Sequence, residues 1–234
     1  MIIAGLDVST TSTGCVKFEL DDTTLSIISV ERLGFKKLSE TSKEVPPNGI
    51  IAYKDSQFNT FYHKLIFMSS HIKTFLSGVN YVSFEDYAFG AAGKITMLAE
   101  ACGHLKTHVF LEGASLRLYD PTSVKLYATG KGNSKKPDMF DSFSNKPHTS
   151  IVTDLPQIPV HKKGKNAGLR NKDGISPLSD IVDAYFLCDM LRSELMLRNG
   201  IVTLQQVAAD CKRIMTRTTK ITKVDLLHQP FIKK

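Results

Sequence analysis

The sequence predicts an α/β fold on a mixed β-sheet: an antiparallel three-strand meander continued by parallel strands and flanked by helices. Two observations carry this. Three apolar, β-branched runs fall within the first 33 residues, separated only by short turns, which is the pattern of hairpin-linked strands. From Phe58 onward helical and extended patterns alternate, and that alternation implies parallel strands with helices packed on the sheet. A length of 234 residues suits one substantial core with an appended segment. Residues 1–199 are expected to form the domain and residues 200–234 a basic helical extension.

The first strand is expected over residues 2–8, followed by a Ser/Thr-rich turn to Gly14. A second covers residues 15–20, and a third residues 25–33, with Asp21 and Asp22 supplying the turn between them. Pro46, Pro47 and Gly49 mark a loop. Phe58, Phe61, Leu65, Met68, Ile72 and Phe75 then recur at helical spacing. A short strand over residues 81–84 runs into Glu85, and residues 94–111 read as a second helix. Another strand covers residues 116–119. Asp120 and Pro121 then signal the start of a helix over residues 124–128. Residues 130–174 are polar and rich in Lys, Asn, Pro and Gly; loop is expected, with a short helix near residues 137–143. Helices over residues 177–197 and 204–215 complete the chain.

A formal charge of +7 and a pI near 9.1 favour an anionic partner such as nucleic acid. The cations gather in three groups: Lys131, Lys135 and Lys136; Lys162, Lys163, Lys165, Arg170 and Lys172; Arg213, Arg217, Lys220 and Lys223. Each group is also compatible with plain solvated surface. Cys15, Cys102, Cys188 and Cys211 lack CxxC spacing, so neither a zinc site nor a disulfide framework is indicated, and a reducing compartment fits. His104 and His108 stand four apart on a predicted helix without a third ligand of suitable spacing, the pattern of a packed or solvated pair. No apolar run approaches the roughly 18 residues of a membrane span, so an intracellular protein, not inserted in a membrane, is expected.

Four acids stand where carboxylates are costly. Asp7 ends the first apolar strand and Glu85 ends a later one; a buried carboxylate there costs free energy unless it is paired or bound to metal. Asp180 and Asp183 are three apart on an otherwise apolar helix, so both project from one face. A strand-end Asp is often only a turn former, and Asp180 alone would suit a helix N-terminus. Asp183 lies deeper in the apolar stretch. Four convergent carboxylates need cations between them, and hard oxygen donors suit Mg²⁺, with Mn²⁺ as a substitute. Two such ions, roughly 3.5–4 Å apart, serve phosphodiester hydrolysis without a nucleophilic side chain.

In order, the segments GLDVSTTSTG, FEDYAFG, AEACG, YDPTSVKLYATGKGNSKK and SDIVDAYFL resemble the RuvC-type Holliday junction resolvases of the ribonuclease H-like superfamily. The resemblance spans roughly residues 2–198, and the last two segments are its most specific part. The basic insertion over residues 160–172 and the chain beyond Asn199 depart from the family pattern, as in diverged viral and phage members. The resemblance implies a homodimeric, Mg²⁺-dependent endonuclease acting on branched DNA. Asp7, Glu85, Asp180 and Asp183 would be its catalytic metal ligands, with Lys125, Lys131, Lys135 and Lys136 against DNA. Tyr87 and Phe89 stand one position off the place of the family's base-stacking aromatic. Two other readings stay open: a related nuclease acting on flaps or RNA–DNA hybrids, and a fragment of a sugar-kinase or actin-like phosphotransferase, whose first hairpin GLDVSTTSTG also resembles.

Overall fold

The description covers residues 1–86, 95–160, 168, 170, 175–218 and 224–234 of a computed structural model. Strands β1 (Ile2–Asp7), β2 (Gly14–Leu20) and β3 (Ile27–Lys37) form the expected antiparallel meander. Strands β5 (Tyr81–Glu85) and β6 (Ser115–Tyr119) continue the sheet in parallel beside β1. One strand escaped the sequence pattern. Four residues after the Pro46–Pro47 loop, β4 (Ile50–Tyr53), pair in parallel with β3, giving the order β4-β3-β2-β1-β5-β6. Ile50, Ile51, Ala52 and Tyr53 are apolar throughout, so the run shows no alternation, and periodicity alone does not distinguish it from a buried helical segment. β3 also begins later than expected, because Leu25 sits in the turn with φ of 53°.

Strand alternation sorts the side chains onto two faces. Ala4, Leu6, Phe35, Val82 and Phe84 meet helices α1 (Phe61–Phe75) and α2 (Ile95–Leu111) through Met68, Ile72, Leu105 and Val109. Ile3, Val16, Phe18 and Leu20 meet the long helix α5 (Leu178–Arg198), which lies across β1 and β2. Around α5 on that face pack α3 (Pro121–Thr129), α4 (Lys136–Phe143) and α6 (Ala209–Met215).

Local signals set the ends of α3. The Asp120 carboxylate accepts from the Ser123 amide at its start, and Gly130 closes it in the left-handed region. The last helix is shorter than its apolar pattern implied, beginning only at Ala209. Beyond it, Ile232 pairs with Leu116 on edge strand β6, and the Phe231 ring lies against the guanidinium groups of Arg117 and Arg198. Both arginines bond to Glu194, at 2.6 and 2.7 Å, and the Tyr119 hydroxyl donates to the same buried carboxylate. Described residues after Asn199, among them Cys211, Ile214, Leu226 and Phe231, thus pack on the same core as the helices. Among the described residues no helix is long and apolar enough to cross a membrane.

α5 approaches the sheet over glycine. A Cβ at Gly5 would stand 2.3 Å from the Ala184 carbonyl oxygen, and one at Gly14 would stand 2.2 Å from that of Asp180. Neither backbone can yield without moving the helix. Gly5→Ala is therefore expected to destabilise the protein by about 1–3 kcal/mol or more. Gly103→Ala, at an open position of α2, should be neutral or stabilising by roughly 0.5–1 kcal/mol. Urea unfolding of both variants checks the contrast, and equal stabilities would contradict it.

Candidate active site

Alternation that sends Ile3 and Gly5 toward α5 sends Asp7 the same way. The register pairs Gly5 with Ser83, whose hydroxyl donates to the Leu187 carbonyl of α5, so Glu85 shares that face two residues on. Asp7 also pairs with Gly14, directly beneath the Asp180 backbone. The strand-end acids and the α5 acids therefore meet at one end of the sheet. Asp180 and Asp183 are each 8% exposed.

Lys136 opens α4, and its ammonium donates to Asp183 Oδ2 and lies 3.8 Å from Asp7 Oδ2. Even so, Asp7, Glu85 and Asp180 disfavour charge. Burial, then the neighbouring acids, hold Asp7 well above the usual carboxylate range against the pull of Lys136. Burial and Asp183 push Glu85 up to about 7, with Lys136 and Lys125 opposing. Asp180 is raised by burial too, although Lys136 and the hydroxyls of Ser176 and Ser12 favour its ionised form. Its Oδ2 is buried without a hydrogen-bond partner. As placed, no three acidic, histidine or cysteine side chains among the described residues enclose a metal ion; the cation among them is the Lys136 ammonium. The donors nevertheless suit a hard divalent ion. They are carboxylate oxygens, mutually repelling, and one of them is left unpartnered in the interior.

Of the sequence-predicted residues, Asp7, Glu85, Asp180 and Asp183 come together, with Lys125 near enough to influence Glu85. Lys131 and Lys135 are exposed on the segment joining α3 to α4. Tyr87 and Phe89 lie outside the described residues, as do most of the second basic group and Lys220 and Lys223 of the third. Arg170 pairs with Asp141, and Arg213 with Asp210. His104 bonds to Ser69, and the four cysteines are buried free thiols. Ser12 and Ser176, which escaped the sequence reading, link hydroxyl to hydroxyl at 3.0 Å beside Asp180. The only local hint was the Ser/Thr-rich turn itself. Within that turn, Ser9 Oγ accepts from the amides of Thr11 and Ser12, and the Ser9 amide donates to Thr13 Oγ1.

The meander, the parallel strands and the long helix bearing two acids define a ribonuclease H-like fold with an acidic site at one sheet end. No family model and no curated protein matches the sequence. Among solved structures the chain is similar to RuvC of Thermus thermophilus, at 16% identity and a TM-score of 0.47, over 87% of this chain and 99% of that one. It is similar to the same organism's RuvC in complex with a Holliday junction substrate, at 16% identity and a TM-score of 0.48, over 87% and 98%. The fowlpox virus Holliday junction resolvase is similar at 13% identity and a TM-score of 0.42, over 82% and 98%.

The raised acids make a prediction about stability. With Glu85 at about 7 in the folded state and near 4.5 otherwise, the folded protein binds more protons between those values. Stability then falls as pH rises through that window, and the penalty is complete above it. Glu85→Gln, in the presence of a chelator, should raise the unfolding free energy at pH 8 by about 1–3 kcal/mol. The gain should vanish near pH 4. Thermal melts at the two pH values measure it, and a destabilised variant at pH 8 would refute the electrostatic account.

Proposed function

We propose that this protein is a metal-dependent, structure-specific endonuclease that resolves branched DNA, Holliday junctions above all, by phosphodiester hydrolysis. The observation that carries the proposal is the gathering of Asp7, Glu85, Asp180 and Asp183 at one sheet end, where a cation already sits between Asp183 and Asp7, beside a basic segment. Those four acids would hold Mg²⁺ or Mn²⁺. When bound, such ions supply Lewis acidity, an activated water and stabilisation of the leaving oxygen. The protein's own groups place the substrate. Lys131 and Lys135 are exposed where a phosphate backbone can reach them, and Lys125 stands near Glu85. Ser12 and Ser176 orient Asp180.

The branched substrate rests on the order of motifs from GLDVSTTSTG to SDIVDAYFL. A four-way junction has two-fold symmetry, and paired nicks need two sites related by it, so the working unit is a homodimer. Tyr62 and Ile66, four apart on α1 and 60% and 61% exposed, offer an apolar face for the partner. Buried free thiols fit the reducing interior of a cell. The phosphotransferase alternative needs the first hairpin to hold phosphate, yet its Ser9, Thr11 and Ser12 amides are engaged by the turn's own hydroxyls.

Nicking of labelled four-way junctions, flaps and RNA–DNA hybrids in Mg²⁺ tests the activity. Asp7→Asn, Glu85→Gln and Asp183→Asn should each abolish cutting while junction binding persists. A variant that cuts at the wild-type rate would remove its residue from the site. Preference for flaps or hybrids would point to the related nuclease instead. Junction affinity should weaken with salt, and Lys131→Ala or Lys135→Ala should each flatten the log–log slope by about 0.9; an affinity indifferent to salt would rule out the DNA contact. Sedimentation at micromolar concentration should show a dimer that Ile66→Glu dissociates with loss of paired cuts. A monomer making paired cuts would sink the dimer.

A further inference from the structure

We propose, resting on the metal-dependent reading above, that Lys136 is the resident cation of the acidic site and that a divalent ion displaces it, turning its ammonium outward toward the DNA. The first ground is position. Lys136 donates to Asp183 and lies 3.8 Å from Asp7, so it occupies the ground between an α5 acid and a strand-end acid. The second is incomplete neutralisation. A single positive charge with three N–H donors serves Asp183 and Asp7, and Asp180 Oδ2 still goes unpartnered in the interior. A divalent ion, which takes six or more oxygen ligands, satisfies such a set better.

A third ground is the contrast with the buried acid six residues beyond Asp183 on α5. Asp189 has two cations of its own, Lys146 at 3.0 Å and Arg192 at 3.9 Å, against a single buried carboxylate. That arrangement is complete and suits a permanent structural pair. The Lys136 arrangement is short of positive charge, which suits a placeholder. Its side chain is 31% exposed, so the flexible four-carbon stem already borders solvent and swings out without moving α4. Once out, the ammonium joins the exposed Lys131 and Lys135 on the same basic segment. Metal entry and backbone contact are thereby coupled through one side chain. Apparent metal affinity is then the intrinsic affinity multiplied by the fraction of molecules in which the ammonium has withdrawn.

Isothermal titration with MnCl₂, without DNA, compares the full-length wild type with Lys136→Met and Asp183→Asn. Lys136→Met is expected to bind Mn²⁺ about tenfold more tightly or better, and Asp183→Asn to lose binding. Acylation of the wild type, read by mass spectrometry, tests the same exchange without a variant. Lys136 should be labelled far less than Lys135 in chelator and should approach it in saturating Mn²⁺. If Mn²⁺ binds the wild type while Lys136→Met binds no tighter, or Lys136 labelling does not change, the displacement is overturned and the nuclease reading stands. If the wild type does not bind Mn²⁺, or Asp183→Asn binds it equally well, the metal-dependent reading itself fails. Should Lys136→Met not fold, the labelling decides alone.

Discussion

The close seating of α5 on β1 and β2 is the constraint from which most of this structure follows. Gly5, Gly14 and Gly34 pave the sheet beneath it, and side chains at the first two would collide with the helix backbone itself. Close approach lets Ile181, Val182, Tyr185 and Phe186 bury completely against Val16, Phe18 and neighbouring helices. It also brings the first turns of α5 to the end of β1. Asp180 and Asp183 are therefore delivered to Asp7 by packing, with no loop intervening. Sites built on helices and strands in this way are positioned more precisely than sites on loops.

That delivery has an electrostatic cost which the fold tolerates. Three of the four acids are pushed upward in pKa by burial and by one another, and one buried oxygen is unpartnered. Elsewhere the buried carboxylates are matched: Glu194 receives Arg117, Arg198 and Tyr119, and Asp189 receives Lys146 and Arg192. The contrast within one helix separates the two kinds of acid. Structural carboxylates are matched by fixed cations, whereas the sheet-end set is undersupplied and is relieved only in part by Lys136.

The buried charges around Glu194 also tie the end of the chain to the sheet. Arg117 and Arg198 hold the carboxylate between them and present their guanidinium planes to Phe231. The adjoining Ile232 supplies backbone bonds to Leu116, covering part of the β6 edge. An exposed edge strand invites pairing with another chain, and the tail blunts it here.

The sequence by itself determined the order of the strands and helices, and the placement of Asp7, Glu85, Asp180 and Asp183 at element ends or on one helix face. Those are consequences of local periodicity, which a linear chain displays directly. β4 was hidden because its four residues are all apolar and show no alternation, and the basic character of Lys136 pointed only to solvent or DNA. Its attachment to Asp183 spans 47 positions and depends on how α4 docks beside α5. The same holds for Ser12 with Ser176 and for Ile232 on β6. Such pairings depend on three-dimensional packing between distant segments, and no local pattern of charge or hydrophobicity encodes them; only the tertiary structure decided that the acidic site has a lysine at its centre.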